Sequence, residues 1–294
     1  MSDVFVARAQ CGGCGRRLST EGLAAVTAPD IDRSRFYSSS SSPLSVSLTP
    51  CDSCGLVQTA HLLNRQELED AYAEALDDDH SSQFEHRRES FRRALRRSVL
   101  PHIPEGIRSP WLDVGTAGGA FVAAARDLAL EAIGLEPSGH IVAQVDHSLR
   151  PYVRQGFLSN LTAGERFGVV SYWDVLEHVS DPREEVERAK THLNSRGFLV
   201  LNLPMIDTSS ARILRRRWPF YLDVHLTYFT RETVEHFLDS LGFDLVSMRT
   251  YTQTLDLRYL LSRYSGRVKI PAVLARVPVR YAMGQRTIVA RWRS

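Results

Sequence analysis

The chain has 294 residues, 43% hydrophobic and 24% charged, with a formal net charge of +2. That is the composition of an ordinary globular protein, long enough for one α/β domain and a small appended module, and without a global electrostatic drive toward nucleic acid or an anionic membrane. No apolar run approaches the ~20 residues of a spanning helix, and Met1-Ser-Asp-Val-Phe-Val6 lacks the charged head and apolar core of a secretory signal, so a reducing cytoplasmic compartment is expected.

All four cysteines lie in two knuckles, Cys11-Gly-Gly-Cys14 and Cys51-Asp-Ser-Cys54. Each C-x-x-C hairpin brings two thiolates to one tetrahedral ion. Two such hairpins close an all-thiolate shell with no open position, which predicts structural zinc rather than a catalytic metal. Two matched knuckles also favour metal over a redox pair. Arg16 and Arg17 are placed to offset the negative charge. Between the knuckles the run Ser38–Ser42 with Pro43 reads as a loop, and Leu44–Leu48 alternates like a strand. From Asn64 to about Leu100 the chain reads as a helical connector. Asn64 and Glu67 form a capping box ahead of Leu68, Ala71 and Tyr72, and an acidic break follows at Asp77–Asp79. Phe84, Phe91, Leu95 and Val99 then recur at helical spacing, while Arg87, Arg88, Arg92, Arg93, Arg96 and Arg97 read as a solvated basic face, with a grip on phosphate as the alternative.

Beyond Pro101 and Pro104, strands alternate with helices. Trp111-Leu-Asp-Val-Gly-Thr-Ala-Gly-Gly119 predicts a strand and a tight turn, with a helix over Ala120–Leu130. Further strands are expected at Ala132–Glu136, Phe167–Trp173, Phe198–Leu203, Phe243–Ser247 and Thr287–Trp292, with helices capped by Asp181 and Thr230. Such alternation builds a mostly parallel, doubly wound sheet. Its ligands sit at the carboxyl ends of the strands, where Asp113, Gly115, Ala117, Gly119, Glu136 and Asp174 would lie. An acid at the end of the second strand, here Glu136, can accept from both ribose hydroxyls of a nucleoside cofactor. The turn is not the G-x-G-x-x-G that houses a pyrophosphate.

Asp113-Val-Gly-Thr-Ala-Gly-Gly119, Gly134-Leu-Glu-Pro-Ser138, Trp173-Asp-Val-Leu-Glu-His-Val-Ser-Asp-Pro182 and His225-Leu-Thr-Tyr-Phe-Thr-Arg-Glu-Thr233 resemble class I S-adenosylmethionine (SAM) dependent methyltransferases. With the N-terminal cysteines, the chain is similar to those members that carry a zinc-binding domain and act on sugars or natural-product intermediates. The resemblance implies an α/β fold: a doubly wound, Rossmann-like seven-stranded sheet (106–294) with a small N-terminal zinc ribbon (1–62) and a helical connector (63–105). It implies SAM and structural zinc as cofactors. Asp113 would fix the methionine amino end; Gly115, Ala117 and Gly119 would line methionine and ribose; Glu136 would hold the ribose hydroxyls. Pro137, Ser138, Phe157 and Leu158 would lie about the adenine, and Asp174 near the sulfonium. Ala117 departs from the family pattern, which has glycine there.

Methyl transfer to a hydroxyl or an acidic carbon requires a base. His178 is the first candidate, and His225 with Tyr228 the second. Arg215–Arg217, followed by Trp218-Pro-Phe220, could clamp an anionic ring-bearing acceptor or form a solvated loop. The expected acceptor is a small molecule of anionic or glycosidic character, methylated on O or C. The alternatives are an RNA methyltransferase gripping RNA through its ribbon, and a non-catalytic SAM-binding interaction protein. The modest charge and the few aromatics among basic residues of the ribbon disfavour nucleic acid, and the intact turn with Glu136 disfavours the non-catalytic reading.

Overall fold

The computed structural model describes residues 5–18, 42, 44–45, 47–75, 82–265 and 277–294. The serine run through 41, Pro43 and the acidic break at 77–79 lie outside the described residues. At the N-terminus, β1 (Phe5–Ala7), β2 (Leu48–Pro50), β3 (Val57–Thr59) and β4 (His61–Leu63) flank the cysteine knuckles, pairing β1 with β4 and β2 with β3, both antiparallel. The strand expected from Leu44 begins only at Leu48; the Leu44 N–H is taken by the Tyr221 carbonyl at 3.0 Å.

Asn64 caps α1 (Arg65–Ala73), its side chain accepting from the Glu67 N–H at 3.0 Å. In α2 (Phe84–Ala94) the apolar stripe closes on the main domain, continuing through a π turn at Leu95–Val99. Phe91 meets Trp173 with ring centroids 5.2 Å apart and Phe121 at 5.7 Å, edge contacts worth about 0.5–1.5 kcal/mol each beyond area burial. The arginines of this helix are not uniformly solvated. Arg88 pairs with Asp127 at 2.7 Å and Arg93 donates to Thr254 at 3.0 Å, while Arg87 turns toward the sheet edge.

The main domain runs β5 (Trp111–Val114), α3 (Ala120–Arg126), β6 (Ala132–Glu136), α4 (Gly139–Gln144), β7 (Val153–Gln155), β8 (Phe167–Trp173), α5 (Pro182–Lys190), β9 (Leu193–Pro204), α6 (Ser209–Leu214), β10 (Thr227–Tyr228), α7 (Arg231–Ser240), β11 (Phe243–Thr250), β12 (Gln253–Asp256), α8 (Leu257–Ser265), β13 (Pro278–Tyr281) and β14 (Gln285–Trp292). Seven strands form one sheet in the order β11-β14-β9-β8-β5-β6-β7, parallel except for β14, which runs antiparallel to both neighbours. Strand order reverses between β5 and β8, and this places the binding edge beside them. Every residue of β5 and β8 is buried, as strands covered on both faces require. Asp181 and Thr230 cap α5 and α7, accepting from the N–H groups of Glu184 and Thr233. No helix among the described residues is long and apolar enough to cross a membrane.

As a division of the chain, 1–62, 63–105 and 106–294 is a proposal; the packing across it is continuous. β3 pairs antiparallel with β10 (Thr227 opposite Gln58, Tyr228 opposite Val57). Cys11, Cys51 and Leu56 share one core with Leu112, Tyr172 and Phe237.

The turn between β5 and α3 alternates handedness, with φ of +71° at Gly115, +50° at Ala117 and +81° at Gly119. A Cβ on Gly115 would stand 2.6 Å from the Val175 side chain, so what excludes a larger residue there is the protein's own next loop. Left-handed backbone at a non-glycine residue costs about 1–3 kcal/mol, and Ala117 bears that cost. Ala117→Gly is expected to raise stability by up to about 1 kcal/mol, the relief being partly offset by the greater freedom of glycine in the unfolded chain. Urea denaturation showing a loss of stability would contradict this reading of the turn.

Candidate functional site

Each strand that ends at the switch point delivers a carboxyl group. Asp113, near the end of β5, is 2% exposed. The Trp111 indole donates to the Ser171 hydroxyl at 2.8 Å, and that hydroxyl donates to Asp113 Oδ1 at 2.7 Å. Burial pushes the Asp113 carboxyl up to about 7, against the opposing pull of the Ser171 hydroxyl. Glu136, the last residue of β6, accepts from the Ala117 N–H at 2.9 Å and from the Ser138 N–H at 3.0 Å. The carboxylate therefore clamps the glycine turn to the second strand. Ser138 is buried and caps α4 through Ile141 N–H. Beyond β7, Leu158 is buried in the core while Phe157 and Pro137 remain part-exposed at the edge.

Asp174 follows β8 in left-handed backbone, φ +58°. Its Oδ1 accepts from the side-chain amides of Asn202 (2.7 Å) and Gln285 (2.6 Å), two residues the sequence did not single out because they belong to β9 and β14. Burial raises the Asp174 carboxyl, and the positive charge of Arg87 opposes the rise. The Nε of Arg87 and the Nε1 of Trp173 are buried and have no hydrogen-bond partner. An unspent arginine donor in electrostatic reach of Asp174 suits a polar ligand with an anionic group, and with the carboxyls of Asp113 and Glu136 the residues present fit an amino-acid-bearing nucleoside.

On the far side of Asp174, Glu177 and His178 lie in a short turn after β8, and His225 lies in the loop before β10. The two imidazoles meet edge to face with centroids 4.8 Å apart. Burial, reinforced by His225, holds the His178 imidazole well below its usual range, and burial together with the charge of Asp174 holds the Glu177 carboxyl well above its own. A buried imidazole so weakened is a poor proton acceptor. Tyr228 is fully buried, its hydroxyl donating to the Leu222 carbonyl at 3.1 Å, so it packs the loop rather than facing a reactant. Arg215, Arg216 and Arg217 are exposed while Trp218 turns into the core with its indole on the Met283 carbonyl. The expected clamp therefore splits between solvent and interior.

The four cysteines converge as their spacing implies. Cys11 and Cys54 Sγ stand 3.6 Å apart, Cys14 and Cys51 Sγ 3.7 Å, and all four sulfurs lie within 4.8 Å of one another. Thiolates at about 2.3 Å from a tetrahedral zinc stand about 3.8 Å apart, so the donor set fits that ion. Arg16 and Arg17 stay exposed; the buried arginine beside the centre is Arg8.

A family profile described as a methyltransferase domain matches residues 83–248, more than half of the chain. The ubiquinone biosynthesis O-methyltransferase of Azorhizobium caulinodans is 33% identical over 97 residues; the match spans 31% of this chain and 38% of that protein's length. Among solved structures, a Haloferax volcanii complex between the Trm112 methyltransferase activator and a candidate methyltransferase aligns with a TM-score of 0.51 at 15% identity. It covers 76% of this chain and 96% of that one, and shows the shared fold. A SAM-dependent methyltransferase from Thermotoga maritima aligns at 0.48 and 18% identity, over 74% of this chain and 95% of its own.

Because the sulfurs share a core with the main sheet, metal loss should not stay local. Cys51→Ser is expected to lose the zinc and to lower the melting temperature of the whole chain in one transition. Elemental analysis finding no zinc in wild-type protein purified without chelator, or a separate early transition confined to the ribbon, would contradict this.

Proposed function

We propose, from the premise that the chain belongs to the methyltransferase-domain family, that it transfers the methyl group of SAM to an oxygen of a small molecule, with carbon as the alternative acceptor atom. The observation that carries the reading is the Glu136 carboxylate at the switch point, drawing the left-handed turn over the carboxyl edge with Asp113 and Asp174 beside it. When bound, SAM supplies a sulfonium whose methyl is already activated, so the chain's work is to bind, align and exclude water.

In this reading Glu136 accepts from the ribose hydroxyls, Asp113 faces the methionine ammonium, and Gly115, Ala117 and Gly119 let backbone approach the methionine. Phe157, Leu158 and Pro137 border the adenine. Asp174, held by Asn202 and Gln285, lies on the sulfonium side. His178 and His225 stand on the acceptor side and orient the acceptor. The choice of oxygen draws support from the curated relative, whose name specifies an O-methyltransferase; that of a small molecule, from the near-neutral charge. The anionic or glycosidic character of the acceptor remains part of the proposal, as does a ribbon that serves structure rather than RNA. Methyl transfer from labelled SAM into a metabolite extract is the direct test, and labelling of bulk RNA instead would favour the ribbon as an RNA grip.

Two measurements bear on the cofactor. Glu136→Gln removes one acceptor oxygen and the charge, and hydrogen bonds to a charged group are worth about 1.5–3 kcal/mol. SAM affinity is expected to fall by roughly 10- to 100-fold, and calorimetry showing an unchanged affinity would sink the assignment. Asp113 gives a pH signature. Its folded carboxyl, at about 7, binds the proton more tightly than an unfolded one near 3.9. Stability without cofactor should therefore fall as pH rises from about 4 to about 7. A cationic cofactor favours the ionised carboxylate, so SAM affinity should rise through the upper part of that window, by up to about tenfold per pH unit, and level off above it. Asp113→Asn should flatten both curves; SAM binding whose pH profile is the same in wild type and Asp113→Asn would remove Asp113 from the site.

A further inference from the structure

We propose that Asp174 is a fixed counter-charge for a sulfonium, held in place by Asn202, Gln285, Gln253 and Tyr281, so that the chain binds SAM in preference to the demethylated thioether left after transfer. The preference belongs to the methyl-transfer site proposed above and rests on that reading.

A carboxylate can only accept, and that sets the direction of every hydrogen bond behind it. Asn202 Nδ2 and Gln285 Nε2 both donate to Asp174 Oδ1, at 2.7 and 2.6 Å. With its amide nitrogen spent there, Gln285 turns its Oε1 to Gln253 Nε2 at 3.1 Å, and Gln253 Oε1 accepts from the Tyr281 hydroxyl at 3.0 Å. On the other branch, Asn202 Oδ1 accepts from the Thr287 hydroxyl at 3.3 Å. Asn202, Gln285 and Thr287 are 0%, 2% and 1% exposed, so their amides and hydroxyl have no water to turn toward instead. Gln253 and Tyr281 stand opposite one another in the β12–β13 pair. That hairpin is fastened to α2, where the Thr254 N–H donates to Ser90 Oγ at 2.9 Å and the Asp256 N–H to Gln83 Oε1 at 3.0 Å. Strands of the sheet and of the hairpin thus fix one carboxyl group.

Both amides converge on Oδ1, and the Asp174 side chain is half-buried at the carboxyl edge. Among the described residues, the cation acting on it is Arg87, through charge rather than a hydrogen bond. A carboxylate pinned by neutral amides and short of a contacting cation is stabilised by a cationic occupant. Asp174 belongs to neither group of converging metal-type ligands among the described residues. Its neighbours present N–H donors, so an organic cation suits it better than a metal ion. The sulfonium is such a cation, and transfer abolishes it. The S–CH3 bond breaks with its electron pair left on sulfur, the methyl group passes to the acceptor, and a neutral thioether remains. Asp174 then loses its counter-charge, and the spent cofactor is held less tightly than the fresh one.

The test is equilibrium binding to the full chain by calorimetry at a single pH, and it needs no acceptor. The ligands compared are SAM, the neutral thioether S-adenosylhomocysteine, and sinefungin, which carries an ammonium in place of the sulfonium. Wild type is expected to hold SAM and sinefungin about tenfold or more tighter than S-adenosylhomocysteine, the scale of one hydrogen bond to a charged group. Asp174→Asn keeps the shape and removes the charge. It should bring the affinities to within about twofold of one another by weakening SAM and sinefungin alone. Gln253→Leu should narrow the preference several-fold with S-adenosylhomocysteine affinity unchanged, whereas a merely structural role would weaken every ligand alike. Circular dichroism checks that the variants fold, and should one fail, the wild-type ranking decides. S-adenosylhomocysteine bound as tightly as SAM by wild type overturns the counter-charge and leaves the methyl-transfer reading standing, as does a preference that folded Asp174→Asn retains. A preference lost in Asp174→Asn but kept in Gln253→Leu overturns the part assigned to the hairpin. Binding of none of these ligands overturns the methyl-transfer reading, and the counter-charge with it.

Discussion

Arg8 ties together the three segments from which the candidate site is assembled. It is 3% exposed and donates to three carbonyls: Thr59 in β3 at 3.0 Å, Ser180 after β8 at 2.8 Å, and Leu226 beside His225 at 3.3 Å. Burial brings its guanidinium down to about 10, leaving it charged at neutral pH. A fork of five donors on a rigid plane can bridge carbonyls that no single hydrogen bond could join. Removing it would strand buried carbonyls at a cost of about 1–3 kcal/mol each. The β3–β10 pairing and the cysteine centre continue the same seam. The N-terminal segment is thus the wall against which the loop carrying His225 is set, and the cysteine cluster acquires a structural bearing on the carboxyl edge.

The carboxyl edge of the sheet concentrates acids in a dry place. Asp113, Glu136, Asp174 and Glu177 come from strand ends or the turns just beyond them, and burial raises the carboxyls of Asp113, Asp174 and Glu177. Such groups destabilise the protein alone and are relieved by a cationic occupant, so the energetic cost of the edge is also its selectivity for positive charge. The sulfonium and ammonium of the proposed cofactor answer Asp174 and Asp113. Arg87 is the counterweight, reaching the edge from α2 and easing Asp174 in particular.

Much of this was legible from local pattern. Asp181 and Thr230 announced their helices because a cap is satisfied within three residues, and the buried strands β5 and β8 announced themselves by continuous apolar runs. The cysteine quartet was legible because metal geometry dictates knuckle spacing. Arg87 was not, because a helical arginine looks the same from the sequence whether it faces water or a cleft. Asn202 and Gln285 were not, because their partner Asp174 is distant along the chain and their meeting depends on β14 inserting beside β9. Tyr228 and Trp218 were read as reactive or clamping groups on composition, and packing assigned them to the core.

What the sequence by itself determined is everything that short-range rules control: the fold class, the glycine turn with its paired acids, the helix caps and the convergence of the four cysteines. Each depends on residues a few positions apart, or on a metal that imposes its own spacing. What only the tertiary structure decided is which polar groups distant along the chain meet. His178 and His225 are separated by several elements and come within contact because β8 and β10 converge under the ribbon. The His225 ring is held there by the Phe220 carbonyl, which belongs to the same loop. A sequence names donors and acceptors; only the folded chain, by burying them away from water, settles which of them face one another.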